Sequence, residues 1–405
     1  MQNVYRAIFS SSGGRNFRNR QVCFQFRAII KPVYHLDYLE CLYQEAQEIG
    51  NYTIKDDKEL SYIVNMGYTN ILDHCKNKYS ILYKIRDKAA DLGNIKVLQW
   101  SKDNGAAWDK HIPNFLARAG HLEALKWSKN NACPFTKATC DNAAMGNHVH
   151  ILEWLVEEGW VPDSDTCASA SEAASLQVLQ WLKEKGYPWQ ENSCANAAYG
   201  GHIKVLQWLR GQGCEWDERT CSYAAMQGHL EILQWARVND CPWNKDTCAY
   251  AATNGYLKVL QWAHTNGCDW DESTFSSASA FGDMRVLLWL KSNNCPWNEE
   301  ACSDAALMGN LEVLQWLRGN GCPWNVDTCN YAALCGSLEV LQWAHANGCP
   351  WNEDTCASAA EGGNLRSLQW LREQGCPWNR TTITRAQSRN RKVIVQWARD
   401  NGCPE

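Results

Sequence analysis

The sequence predicts an all-α fold, a solenoid of stacked helix–turn–helix units. Three observations predict it. Tryptophan recurs at Trp100, Trp127, Trp154, Trp181, Trp208, Trp235, Trp262, Trp289, Trp316, Trp343, Trp370 and Trp397, each step being 27 residues. A fixed period of that size is the signature of a stacked repeat array. Within most periods a small-residue helical pattern and an apolar one are separated by glycine. The apolar pattern fills positions −5, −3, −2, 0 and +1 relative to the tryptophan. At about 100° per residue this covers roughly 220° of the helix, so the helix needs neighbours on two sides, as a stack provides.

A chain of 405 residues would ordinarily suggest more than one domain, but a solenoid grows by adding units instead of enlarging one core. The net charge of −5 gives no electrostatic footprint for nucleic acid or for an acidic membrane. No apolar run approaches the roughly 20 residues of a membrane span. The first residues show no apolar region followed by a small-residue cleavage site, so an intracellular, cytoplasmic protein is expected, with the nucleus as a second compartment. Cysteine is abundant, at 21 residues. Nine stand six residues after a register tryptophan and eight stand thirteen after it, leaving Cys23, Cys41, Cys75 and Cys335 outside the pattern. Cysteine is thus a structural letter of the repeat, expected as reduced thiol.

Taken in order, residues 1–34 hold no Asp or Glu but carry Arg6, Arg15, Arg18, Arg20, Arg27 and Lys31, and Ser10 to Gly14 cannot form a packed element. A basic, disordered arm is expected there. From 35 to 88 the repeat is worn. Leu36-Asp37-Tyr38-Leu39-Glu40-Cys41 is one faint copy, and Ile63 to Gly67 followed by Ile71 to His74 is another. These read as capping repeats, which diverge because one face meets water. Regular repeats fill 89–405. The last carries Gln387, Asn390 and Lys392 where inner copies have small or apolar residues, as a polar C-terminal cap requires.

One copy serves for all. Cys241-Pro242-Trp243-Asn244 is a turn, with Asn244 as helix N-cap and Asp246 in the first helical turn, where the macrodipole favours an acid. Cys248, Ala251 and Ala252 are spaced i, i+3, i+4 and share one face of small residues. Gly255 ends the helix in the left-handed conformation. Tyr256 and its equivalents (mostly His, Asn, Ser or Asp) are expected as N-caps of the second helix.

The run Gly228-His229-Leu230-Glu231-Ile232-Leu233-Gln234-Trp235, preceded by Ala224-Ala225-Met226-Gln227, resembles the ankyrin repeat, with its Ala-Ala-x-x-Gly and its Gly-His opening of the second helix. Thr247 and its equivalents fall near the family's Thr-Pro-Leu-His segment. The ankyrin period is 33, against 27 in this chain. The shorter period resembles the Trp- and Cys-rich variety of large DNA viruses and protists, in which Cys-Pro-Trp-Asn stands in place of the β-hairpin finger. The resemblance implies a non-catalytic, protein-binding scaffold whose concave face meets the partner.

The candidates for chemistry yield to plainer readings. The pairs at Cys-x6-Cys spacing, such as Cys322 and Cys329, lack the other ligands of a zinc site. Equivalent cysteines of adjacent repeats, roughly 10 Å apart by helix packing, are too distant for a disulfide. Histidine before the second helix alternates with Asn, Ser and Asp, which fits a cap or turn and no metal. A basic ladder two residues after the tryptophan (Lys102, Lys129, Lys183, Arg210, Arg237, His264, Lys291, Arg318, His345, Arg372, Arg399) suits the last turn of a helix. An acidic ladder that includes Asp246, Glu272, Glu299, Glu300 and Asp327 offsets it. The register tryptophans are expected in the core. No catalytic residue, cofactor or metal is expected.

What remains are positions that vary on the first helix while the frame does not: Tyr199, Tyr223, Met226, Tyr250, Phe281, Leu307, Met308, Tyr331 and Leu334. Aromatic and Met side chains there are the anchors interfaces use, or else filling between repeats. The expectation is a monomeric scaffold binding a protein through them. The alternatives are a helical-repeat nucleic-acid binder using the basic ladder, and a substrate adaptor for a ubiquitin ligase, for which no recruiting motif is visible.

Overall fold

The computed structural model describes residues 35–44 and 51–405. The basic arm expected at 1–34 lies outside the described residues. Among the described residues there are 27 α-helices, and the one β-pairing is an isolated bridge between Tyr52 and Cys75. Helix–turn–helix units are therefore present without a β-hairpin between them among the described residues. The chain forms two compact units, one ending at Ala143 and one beginning at Ala144.

In the first unit α1 (His35–Gln44), α2 (Asp57–Met66) and α3 (Thr69–Asp73) precede α4 (Lys78–Asp91), α5 (Ile95–Asp103), α6 (His111–Ala119) and α7 (Leu122–Asn130), and α8 (Ala138–Met145) crosses the division. Gly67 closes α2 in the left-handed conformation. Glu40 of α1 is 8% exposed and accepts the backbone N–H groups of Asn70 and Ile71 at 3.2 and 2.8 Å, a carboxylate seated on the start of α3. In the repeat ending at Trp100, Arg86 holds the place of the first-helix cysteine. It is buried, paired with Asp87 at 2.6 Å and Asp109 at 3.1 Å, and donates to the Ala107 carbonyl at 2.6 Å.

The second unit opens with α9 (Val149–Glu157). Eight full pairs follow: α10 (Ser164–Glu172) with α11 (Leu176–Glu184), α12 (Glu191–Tyr199) with α13 (Ile203–Gly211), α14 (Glu218–Met226) with α15 (Leu230–Val238), α16 (Lys245–Thr253) with α17 (Leu257–Thr265), α18 (Glu272–Phe281) with α19 (Met284–Ser292), α20 (Glu299–Leu307) with α21 (Leu311–Gly319), α22 (Val326–Cys335) with α23 (Leu338–Ala346), and α24 (Glu353–Gly362) with α25 (Leu365–Glu373). A ninth pair, α26 (Arg380–Ser388) with α27 (Lys392–Asp400), ends the unit. Successive first helices pack directly on one another, more closely than the second helices do. The small face explains this, since Cys248, Ala251 and Ala252 are all fully buried. The caps are as the turn chemistry requires. Asp217, Asn244, Asp271, Asn298, Asn325, Asn352 and Asn379 each sit in extended backbone and accept a backbone N–H from the first turn.

Two expectations need correction. The register tryptophans are not all core. Trp100 and Trp181 are buried, while the other ten are half-buried. The fully buried rows of the second helix are −3, −2 and +1, as in Val259, Leu260 and Ala263. The tryptophan at 0 lies roughly 100° from the centre of that arc, at its edge.

The residue before the second helix is not mainly its cap. His229 and Tyr256, for example, make no side-chain cap. The side chain at this position often reaches back to the preceding repeat instead. His229 Nε2 bonds the Tyr199 carbonyl at 3.2 Å, Ser175 Oγ donates to the Met145 carbonyl at 3.2 Å, and Asn364 Nδ2 donates to the Ala333 and Leu334 carbonyls at 2.9 and 2.8 Å. The free carbonyls at the end of one first helix thus find donors in the next repeat.

The cysteines that meet are not those at Cys-x6-Cys spacing. Cys248 Sγ donates to the Cys268 carbonyl at 3.9 Å, Cys329 Sγ to the Cys349 carbonyl at 4.0 Å and Cys356 Sγ to the Cys376 carbonyl at 3.9 Å. The two helices of a unit are antiparallel, so the start of the first lies beside the turn after the second. That later thiol also donates to the carbonyl of its own repeat's N-cap residue: Cys268 to Asn244 at 3.3 Å, Cys322 to Asn298 at 3.4 Å, Cys376 to Asn352 at 3.4 Å.

Gly336 (φ +80) tests the contact of Asn364 with the preceding repeat. A Cβ there would lie 2.5 Å from Asn364 Oδ1, whereas one on Gly348 (φ +84) would meet nothing within 4 Å. Gly348→Ala is expected to cost only the left-handed strain, about 1–2 kcal/mol, and Gly336→Ala roughly 1 kcal/mol more through the displaced hydrogen bonds. Thermal denaturation of both variants measures the difference.

Burial pushes the thiols of Cys133, Cys140, Cys167 and Cys295 up to about 12 from 9.0. The unfolded thiols ionise near their ordinary value while the folded ones stay protonated. Stability is therefore whole below about pH 8.5 and falls as pH rises toward 12. Denaturant titrations between pH 7 and about pH 10.5 should show this loss.

Candidate protein-binding face

All nine positions singled out on the sequence lie on first helices of the second unit or at their ends. Relative to the next register tryptophan, Tyr223, Tyr250 and Tyr331 stand at −12, Tyr199, Met226, Leu307 and Leu334 at −9, and Phe281 and Met308 at −8. Spacings of three and four put these positions on one helical face. None of the nine is buried. Met308 is 63% exposed, Phe281 54% and Tyr331 36%, and the others are half-buried. The structure brings Tyr199 and Tyr223 together across a repeat junction, with ring centroids 6.0 Å apart, edge to face. The same two positions one repeat on hold Met226 and Tyr250, and further along Leu307 and Tyr331. Thr253, Ser277 and Ala280 interrupt the series between them.

Phe281 serves packing as well as exposure. A Cβ on Gly255 would lie 2.6 Å from its ring, so the ring rests on bare backbone of the preceding repeat. Tyr256 does the same over Gly228, at 2.7 Å, and remains 38% exposed. The sequence reading missed Tyr256 as a surface residue because its position suggested a cap. The signal available was the glycine 28 residues earlier, which leaves room for a ring.

Asp304 is the other residue the sequence reading missed. It takes the −12 position that carries tyrosine in three other repeats. It is half-buried, one helical turn from Glu300 on the same face. Burial first, and the Glu300 charge second, push its carboxyl above the usual range, with the nearby Ser276 hydroxyl opposing them.

The basic ladder and the tryptophans occupy each other. The guanidinium groups of Arg210, Arg237, Arg318 and Arg372 lie 4.1, 4.1, 4.1 and 4.3 Å from the ring centroids of Trp216, Trp243, Trp324 and Trp378, and Lys291 Nζ lies 3.6 Å from that of Trp297. His264 and His345 stack on Trp270 and Trp351 at 3.5 and 3.6 Å. Each of these four arginines also donates Nη1 to the carbonyl of the cysteine closing its own turn, as Arg318 does to Cys322. The tryptophan beneath then meets the register tryptophan of the next repeat edge to face, for example Trp243 with Trp262 at 6.0 Å and Trp324 with Trp343 at 5.9 Å. These cations are spent on the turns that replace a hairpin, which leaves less charge to track phosphates.

Among the described residues no group of three or more His, Cys, Asp or Glu side chains could hold a metal ion, and no helix is long and apolar enough to cross a membrane.

No family profile matches the chain. No curated protein matches it either. Among solved structures, the human ASB11 ankyrin repeat domain is 16% identical, with a TM-score of 0.35, covering 45% of this chain and 98% of that one. The maize pentatricopeptide repeat protein PPR10 is 13% identical, with a TM-score of 0.34, covering 95% of this chain and 64% of that one. PPR10 in complex with an 18-nt psaJ RNA element gives 13% identity and a TM-score of 0.36 over 91% of this chain and 63% of that one. This chain thus spans less than two thirds of the PPR10 chains.

The cation on each tryptophan predicts a stability effect. Arg318→Ala removes a cation–π contact of roughly 0.5–1 kcal/mol and a carbonyl hydrogen bond. Thermal melting should fall, together with a change in tryptophan fluorescence, and Arg318→Lys should recover part of the loss.

Proposed function

We propose that the protein is a non-catalytic scaffold that holds a protein partner along the first-helix face of its second unit, through Tyr199, Tyr223, Met226, Tyr250, Phe281, Leu307, Met308, Tyr331 and Leu334. One observation carries the reading. On first helices whose alanine and cysteine face is fully buried, Phe281 and Met308 keep more than half of their surface in water. A repeat array suits this work because it offers many equivalent points along a stiff surface, and affinity can be spread over several of them. The capping roles of 35–88 and of the last repeat, and a monomeric state, belong to the same proposal.

The thiol chemistry supports a binding role. In the paired units both cysteines are buried, as Cys248 and Cys268 are, which keeps their thiols from reagents in solution. Thiols of this kind also fit a reducing intracellular compartment, the cytoplasm first. The ladder of cations engaged by tryptophan favours a protein partner over a nucleic acid.

Two variants test the proposal. Phe281→Ala with Met308→Ala should weaken binding of a partner recovered from the native cell at least tenfold, about 1.4 kcal/mol, with only a modest fall in melting temperature from the lost packing of Phe281 on Gly255. Tyr223→Ala with Met226→Ala and Tyr250→Ala should also abolish binding, at a somewhat larger thermal cost, because these side chains are half-buried. Unaltered binding in both variants would exclude this face.

A further inference from the structure

The chemistry of the partner can be read from the middle of this face. Between Glu272 and Gly362 the four first helices α18, α20, α22 and α24 contain no Lys or Arg. Asp354 and Glu361 at the far end are met by Arg385 and Arg389 of α26, at 2.9 and 3.0 Å. Glu300 and Asp304 of α20 have no such cation within ion-pair distance among the described residues. Glu300, Asp304, Leu307 and Met308 follow one another at spacings of four, three and one, so carboxylates and apolar anchors form a single strip. On the next repeat Asp327, Tyr331 and Leu334 repeat the order of acid, then apolar, then apolar.

A carboxylate that is half-buried without a cation is held at a cost, and the raised titration of Asp304 expresses it. The anchors beside it, exposed at Met308 and Tyr331 and half-buried at Leu307, sit on neighbouring repeats separated by roughly the 10 Å of helix packing. One ligand that satisfies both features must carry positive charge and apolar groups over at least that length.

We infer that this face takes a cationic polypeptide segment, a lysine or arginine of which pairs with Asp304 and Glu300 while its apolar side chains lie against Leu307, Met308 and Tyr331. This rests on the proposed function and names the class of partner. A charge-assisted hydrogen bond to Asp304 supplies the missing cation, and the apolar neighbours shield that pair from water.

The test is panning of a random peptide library on the full chain, followed by titration of the best binder against three proteins: wild type, Asp304→Asn and Met308→Ala. Asp304→Asn preserves shape and should leave the melting temperature unchanged or raised. The expected result is a selected set rich in Lys or Arg with apolar residues. Its affinity should fall about tenfold with either substitution and weaken as salt rises. If the selected peptides are neutral or acidic, or if Asp304→Asn leaves the affinity within about twofold while Met308→Ala lowers it, the cationic partner is overturned and the binding face stands. If neither substitution matters, or no peptide is selected, both readings fall.

Discussion

The structure depends on how closely successive first helices approach. Alanine and cysteine at i, i+3 and i+4 leave no bulk between them, and those side chains are fully buried in repeat after repeat. Close packing of small residues is short-ranged and unforgiving, so it fixes both the register of the stack and the direction in which the remaining first-helix positions point. The −12, −9 and −8 positions face away from that seam. They carry the side chains that change from repeat to repeat, because nothing in the seam constrains them.

A seam of this kind leaves the junction beyond it open, and a repeat of 27 residues has no hairpin to close it. Three groups close it instead. A tryptophan in the turn meets the register tryptophan of the next repeat edge to face, a cation lies on the first ring, and a thiol bonds the carbonyl at the start of its own repeat. Each contact is worth little alone, but all recur along the array. The consequence for function is direct. Tryptophans and arginines, which are common interface anchors elsewhere, are absorbed into the frame. The first-helix face with its tyrosines, Phe281, Met308 and the acids beside them is left outside that frame, and it is the face proposed for recognition.

Much of this was legible in the chain itself. The period, the helix pair, Asn244 as a cap and the small face of Cys248, Ala251 and Ala252 follow from spacing, because each is a relation between residues close in sequence. The nine candidate positions stood out because they vary inside a fixed frame, and the structure places all of them on one face of the second unit. The residues that were misjudged depend on neighbours a repeat away. Tyr256 looked like a cap, but its ring lies over Gly228. Asp304 did not stand out in the sequence, because its half-burial beside Glu300 is a property of the stack.

The sequence by itself determined the architecture, since a repeated local pattern can be satisfied only by stacking copies. Tertiary structure decided which aromatic rings reach water, which thiols meet, and what the basic ladder touches. The register tryptophans show the difference. Their spacing placed them on a broadly apolar helix, but only the packed neighbours set the buried arc, with tryptophan at its edge. Burial is a property of the surroundings, and in a repeat array the surroundings are supplied by residues one period away.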